Sequence, residues 1–184
     1  DGAVQLPEVE KIKDADVLLV FARRLKLPEE QMALVRKHWE DGKGMIGIRT
    51  ASHAFSNEEN TVFDRKVLGG NYVGHFGNED VTVIHNDAAK DHPVLKDVGA
   101  FKSRRLYKAG ELAASATVLQ RGEMEMKDGK KVQHPVSWVN EYKGGRVFYT
   151  SLGVPEDFKN AEFRKMLLNA IAWTAKREPA ELKR

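Results

Sequence analysis

His53 stands five residues after the apolar run Gly44-Met45-Ile46-Gly47-Ile48, and Arg49, Thr50 and Ser52 occupy the interval. An imidazole titrates near neutrality, a guanidinium can hold an oxyanion, and hydroxyls donate or accept. Side by side they suit proton transfer to a hydroxyl or to a carbon beside a carbonyl. A second group, Tyr72 and His75, lies in the stretch GGNYVGHFGNED (69–80), whose glycines predict a loop able to approach a ligand closely. It lacks the Lys-Ser or Lys-Thr of a phosphate loop. A third, in VQHPVSWVNEY, carries His134, Trp138 and Tyr142. Proline after His134 biases that residue to extended backbone, which predicts a sheet edge or a site-facing loop rather than a buried ladder.

Each group has a plainer reading. Thr50 and Ser52 cap a helix, His53 satisfies a backbone group, and Trp138 packs in the core. Read as chemistry, His53, His75 and His134 permit general acid/base catalysis. If the three imidazoles converge, they could hold zinc or another divalent ion, although no HExxH or His-x-His spacing supports this. A Ser-His-Asp hydrolase is weaker still, because there is no G-x-S-x-G turn around Ser52. Cysteine is absent, which removes disulfides, thiolate nucleophiles and thiolate metal sites together.

Positioning these residues calls for an α/β scaffold. ADVLLVF (Ala15–Phe21) reads as a central parallel strand covered on both faces. LPEEQMALVRKHWEDGKG follows as a helix, with Pro28 at its first position, glutamates in its first turn and Gly42 as its stop. GMIGI (44–48) is then a second buried strand. Strand, helix and strand over about 35 residues make a right-handed βαβ unit. Asn57 or Asn60 is expected to cap a short helix closed by Gly69 and Gly70, and DVTVIH (80–85) alternates as a strand. Residues 101–152 read as strands joined at Asp128-Gly129 and Gly144-Gly145. A closing helix capped by Asn160 carries Phe163, Met166, Leu167, Ala170, Ile171 and Thr174 at helical spacing. The fold class expected is α/β: a doubly wound, mostly parallel sheet flanked by helices, with an antiparallel-rich second half. Ligands of such sheets bind beyond the carboxyl ends of the strands, where His53 falls.

The 184 residues suit one domain. Hydrophobic residues are 41% and charged residues 31%, the balance of a water-soluble chain, and no apolar window is long enough for a membrane span. The net charge is +3, from 30 basic and 27 acidic residues interleaved along the chain. The densest basic runs are Arg23, Arg24 and Lys26, then Lys102, Arg104, Arg105 and Lys108. They lack the aromatic interleaving of a single-strand binder, so neither nucleic acid nor membrane is expected as a partner. The start, DGAVQLPEVEKIKDADV, has no basic segment followed by an apolar one, so it is not a signal peptide.

Taken in order, GKGMIGIRTASHAF, GGNYVGHFG, DHPV, QHPVSW, GGRVFYTSLG and NAEFRKMLLNAIAW resemble the ThuA-like (trehalose utilisation) family, over essentially the whole chain. The resemblance implies the class I glutamine amidotransferase-like fold and a role in carbohydrate metabolism on a disaccharide-derived or keto-sugar substrate. Glutaminase chemistry is excluded, because where amidotransferases present a cysteine this chain has the turn Gly47-Ile48-Arg49. Carried over by position, His53, His75 and His134 are the expected acid/base groups, and Arg49, Thr50, Tyr72 and Trp138 the expected sugar-binding groups. The enzyme expected is an isomerase, lyase or hydrolase of sugars. The alternatives are a noncatalytic carbohydrate-binding or interaction module and a metal-dependent hydrolase. The resemblance leaves the cofactor open, with a divalent metal as one option. It implies a small-molecule carbohydrate partner, with oligomer formation open, and suggests an exported or periplasmic setting. The family's histidine after Leu-Gly is Val154 here. The family's first strand-helix unit is also expected to be missing, since only residues 1–14 precede the Ala15–Phe21 segment.

Overall fold

The structure, a computed structural model, describes residues 4–178. Strand β1 (Val17–Val20) leads to helix α1 (Glu29–Glu40) and strand β2 (Gly44–Ile48). Helix α2 (Asn57–Val62) runs on into one π-helical turn, Phe63–Val67. The strands β3 (Tyr72–His75), β4 (Asp80–His85), β5 (Phe101–Arg104), β6 (Tyr107–Ala109), β7 (Thr117–Glu125), β8 (Lys131–Tyr142) and β9 (Gly145–Thr150) follow, and helix α3 (Ala161–Thr174) closes the fold.

Seven strands form one mixed sheet in the order β1-β2-β9-β8-β7-β4-β5. β1, β2 and β9 are parallel, and every pairing from β9 onward is antiparallel. The α/β scaffold with a parallel portion and an antiparallel second half is thus as expected. Alternate side chains along β2 serve opposite faces. Ile46 and Ile48 join Phe148, Phe163, Met166 and Ala170 under α3, while Met45 joins Trp39, Phe55, Phe63, Leu68, Trp138 and Tyr149 under α1 and α2. Each such large apolar side chain contributes roughly 1.5–3 kcal/mol by leaving water.

Local sequence accounts for the elements. On α1, Met32, Val35 and Trp39 fall on one buried stripe, and Glu29 and Glu30 complement the positive end of the helix. Pro28 sits one place earlier than expected, at the cap, with φ −55° and ψ 145°. Asn160 caps α3 as expected, its side-chain oxygen accepting the Glu162 N–H at 2.9 Å and the Phe163 N–H at 3.4 Å. Ser56 rather than Asn57 or Asn60 occupies the cap position of α2. Lys143 (φ 52°) and Gly144 (φ 80°) form the two-residue turn between β8 and β9, the left-handed pair that matches strand twist.

Three expectations are corrected. Among the described residues β1 is an edge strand, pairing only with β2, and Leu19 and the following Phe21 are 44% and 49% exposed. The stretch FKSRRLYKA is not one strand. It breaks at Arg105, whose φ of 59° turns the chain, so β5 joins the large sheet while β6 pairs with β3 in a separate two-stranded sheet. The glycine-rich stretch 69–80 is therefore partly strand, not loop: Tyr72 and His75 lie on β3, with His75 opposite Tyr107.

Candidate functional site

β2 ends at Ile48, and the chain turns sharply into a 3₁₀ segment, Arg49–His53. Arg49 has φ 49°, a left-handed conformation uncommon for a long side chain. Tyr149 on β9 and Ser151 just after it hold the turn there: the Tyr149 hydroxyl donates to Arg49 O at 2.8 Å, and Arg49 Nη1 donates to Ser151 O at 3.1 Å. The Asn60 amide donates to Ser52 O at 3.0 Å, while its oxygen accepts the Phe55 N–H at 3.2 Å, tying the turn to α2.

The turn delivers His53 to a cluster of rings. Its imidazole stacks on Tyr72, with centroids 4.6 Å apart and planes at 26°, and lies 6.2 Å from Tyr107. Tyr72 and Tyr107 are 4.9 Å apart, His75 lies 6.3 Å from Tyr107, and the Arg49 guanidinium sits 4.9 Å from the centre of the Tyr107 ring. Three chain segments, the turn after β2, β3 and β6, thus meet at the carboxyl end of β2. His53 Nδ1 is 3.1 Å from Ser52 Oγ, which orients the ring, and Nε2 has no protein partner among the described residues.

Two groups at this site have displaced proton affinities. Burial, reinforced by the positive charges of Arg23, Arg24 and Arg49, lowers His53 to about 4, so its imidazole is neutral at pH 7. Asp64 is 6% exposed and burial lifts its carboxyl to about 6. One Asp64 oxygen accepts the Tyr72 N–H at 2.9 Å, and Oδ1 is buried without a protein partner. Asp64 lines a cavity of about 10 Å³ with Ser52, Tyr72, Tyr107, Trp138 and Tyr149, space on the scale of one water. Burial also raises the phenols of Tyr107 and Tyr149, keeping both as hydroxyl donors.

The residues expected from sequence divide. Arg49, His53, Tyr72 and His75 come together. Thr50 is half-buried in the same turn, with no side-chain hydrogen bond among the described residues. Trp138 is 3% exposed, donates its indole N–H to Leu68 O at 2.8 Å and lies 4.5 Å from Tyr149. It is the floor of the cavity rather than an open platform. His134 does not join the ring cluster: it is within β8, paired with Gly122, and its ring packs 5.4 Å from Phe76. It occupies a ladder on the β7 side, not a loop, and β9 reaches β8 only from Ser137 onward, so proline is tolerated on that one-sided stretch. Among the described residues no three His, Asp or Glu side chains are grouped so as to hold a metal ion.

Sequence reading missed Tyr107 and Asp64. Tyr107 gave no signal, because its role depends on the break at Arg105. Asp64 did: it is a carboxylate set among the apolar residues Val62, Phe63 and Val67, where ionisation is costly.

The fold and site define an α/β protein with an imidazole, two phenols and a buried carboxyl at the carboxyl edge of its parallel strands. Residues 1–174 match the family model described as trehalose utilisation (ThuA), and the chain belongs to that family. No curated protein matches it in sequence. It is similar in structure to a ThuA-like protein from Bacteroides uniformis, at 18% identity and TM-score 0.68 over 93% of this chain and 75% of that one. A ThuA-like protein from Parabacteroides merdae gives 18% identity and TM-score 0.70 over 89% of this chain and 71% of that one. A β-galactosidase from Rahnella sp. R3 shares the fold at 14% identity and TM-score 0.59, over 89% of this chain but 23% of its own. No helix among the described residues is long and apolar enough to cross a membrane.

Proposed function

We propose that this protein moves a proton on a hydroxylated sugar or keto-sugar. The carbohydrate connection comes from its family, and the observation that carries the chemistry is the meeting of His53, Tyr72, Tyr107 and His75 around the end of β2. Tyr72 and Tyr107 supply faces for a sugar ring. His53, neutral and free at Nε2, can accept a proton or donate its N–H to a substrate oxygen. Arg49 stabilises negative charge developing on an enediolate or alkoxide oxygen. Asp64, with a proton affinity closer to neutrality than that of His53, holds or returns the proton from the cavity side.

The test is turnover of keto-disaccharides by His53→Gln and His134→Ala. A general acid/base at His53 predicts a loss of ~10²–10⁴-fold in the first and near-normal rates in the second. Normal rates in His53→Gln remove the proposal. A second reading, a noncatalytic carbohydrate-binding module, draws support from the recurrence of this fold as part of a larger β-galactosidase. Binding of disaccharides without any product would favour it.

A further inference from the structure

The two densest basic runs of the sequence, around Arg23-Arg24 and around Arg105 to Lys108, are some eighty positions apart in the chain and meet at the site. The loop after β1 lies directly beside His53: the Arg24 N–H donates to His53 O at 2.8 Å, the Leu25 N–H donates to Ala54 O at 2.6 Å, and Leu25 bridges Phe55 in parallel register. From the other side, Arg105 precedes Tyr107 by two residues, and Lys108 lines the same small cavity as Ser52, Tyr72 and Tyr107. Arg49 lies between them, 7% exposed.

None of these five cations has a carboxylate partner among the described residues. Arg49 finds only the Ser151 carbonyl and the face of Tyr107, Arg105 bonds Asn78 Oδ1 at 2.7 Å, and Lys108 lies over the Phe76 ring. Elsewhere Arg36 pairs with Glu29 and Glu59, Arg104 with Asp80 and Arg177 with Asp16, while Arg146 and Arg164 bond backbone carbonyls; what sets the site apart is that five such cations are gathered around one cavity and one of them is buried. A buried guanidinium without a counter-charge is costly, and a bound anion would supply one. The carboxyl at the cavity, Asp64, forms an ion pair with none of the five among the described residues, its bonded oxygen accepting the Tyr72 N–H instead. The proton affinity of His53 is depressed first by burial and then by Arg23, Arg24 and Arg49, which places those cations within electrostatic reach of its ring.

We infer that the site takes a sugar bearing an anionic group, a carboxylate or a phosphate, which Arg49, Arg23 and Arg24 hold while the sugar ring lies against Tyr72 and Tyr107. This rests on the carbohydrate reading above and narrows its substrate class. Arginine suits the role because its planar fork matches either anion in bidentate geometry.

Titration calorimetry on the full chain with glucuronate, glucose 6-phosphate, glucose and inorganic phosphate tests it. One or both charged sugars should bind at least ~10-fold more tightly than glucose, an advantage that shrinks as salt is raised. Comparing glucuronate with glucose 6-phosphate distinguishes carboxylate from phosphate. Arg23 and Arg24 are exposed, so the double variant Arg23→Gln/Arg24→Gln keeps the core intact, and it should lower the charged-to-neutral affinity ratio several-fold. Equal binding of charged and neutral sugars, no binding of either charged sugar, an unchanged ratio in the double variant, or phosphate binding as tightly as glucose 6-phosphate would each overturn the inference. Turnover of neutral keto-disaccharides that depends on His53 would leave the acid/base reading standing in any of those cases.

Discussion

Asp64 and Tyr72 are joined through the backbone: the carboxylate of one accepts the N–H of the other at 2.9 Å, fixing the start of β3 and with it the ring on which His53 lies. The same carboxyl presents its second oxygen, unpartnered, inside the protein. One residue thus positions the aromatic cluster and sets a carboxyl of raised proton affinity beside it. Asp64→Asn preserves an acceptor for Tyr72 and deletes the acid. If the proton matters, turnover falls by ~10²–10⁴-fold while the fold persists. Full activity in a folded Asp64→Asn protein would confine Asp64 to positioning.

The same substitution has a pH signature. Asp64 rises from 3.8 to about 6 on folding, so between those values the folded state holds a proton the unfolded chain lacks. Its contribution is whole below pH 3.8 and is lost as pH climbs through about 6, a change on the order of 3 kcal/mol. Melting temperatures of Asp64→Asn minus wild type should therefore grow from pH 4 to pH 7. A difference flat with pH would contradict the raised carboxyl.

His53 acts in the opposite sense. Its imidazole falls from 6.5 to about 4 on folding, so its contribution is whole above pH 6.5 and is lost as pH falls through about 4. His53→Gln should melt relatively higher, against wild type, at pH 4 than at pH 7. Within this window the two groups offset each other in the native protein, and each single variant exposes the other. A pH-independent difference for His53→Gln would mean that the ring is better solvated than its stacking on Tyr72 suggests.

Gly47 leaves no room for a side chain. A Cβ there would lie 2.9 Å from both Leu68 Cδ2 and Tyr149 Cδ2, and 3.2 Å from Ala51 Cβ. Gly47→Ala is expected to cost about 1–3 kcal/mol as β2 is pushed off its neighbours. Because Tyr149 also holds the Arg49 carbonyl, activity should fall further than stability requires. Denaturant melts beside turnover at a temperature where the variant stays folded would separate the two effects. An unaltered melting midpoint would show that the layer can give way.

The sequence made the scaffold legible where one physical signal dominated. The apolar stripe of α1, the alternation in β4, the Asn160 cap and the unbroken run of β2 all read correctly. The misreadings come from long-range geometry. β1 looks central because its composition is that of a buried strand, and composition does not say which neighbours are present. The FKSRRLYKA stretch looks continuous because a left-handed Arg105 has no sequence mark as a glycine would. That unmarked turn sends β6 to meet β3 and places Tyr107 between His53 and His75. His53 was recognisable from its place after a strand. His134 was not separable from it by residue type, because the difference lies in which strand carries it.

The backbone carbonyl at position 49 is clamped from outside by the Tyr149 hydroxyl of β9, a tie that does not depend on the Arg49 side chain, which reaches separately to the Ser151 carbonyl. The protein therefore carries there an exchangeable headpiece. Unbranched residues, glycine and asparagine among them, can occupy the same left-handed setting, whereas valine, isoleucine and threonine are barred by crowding at their β-carbon. Retooling what this rim presents to a visiting molecule takes a single codon and gives up one tether, the reach to the Ser151 carbonyl.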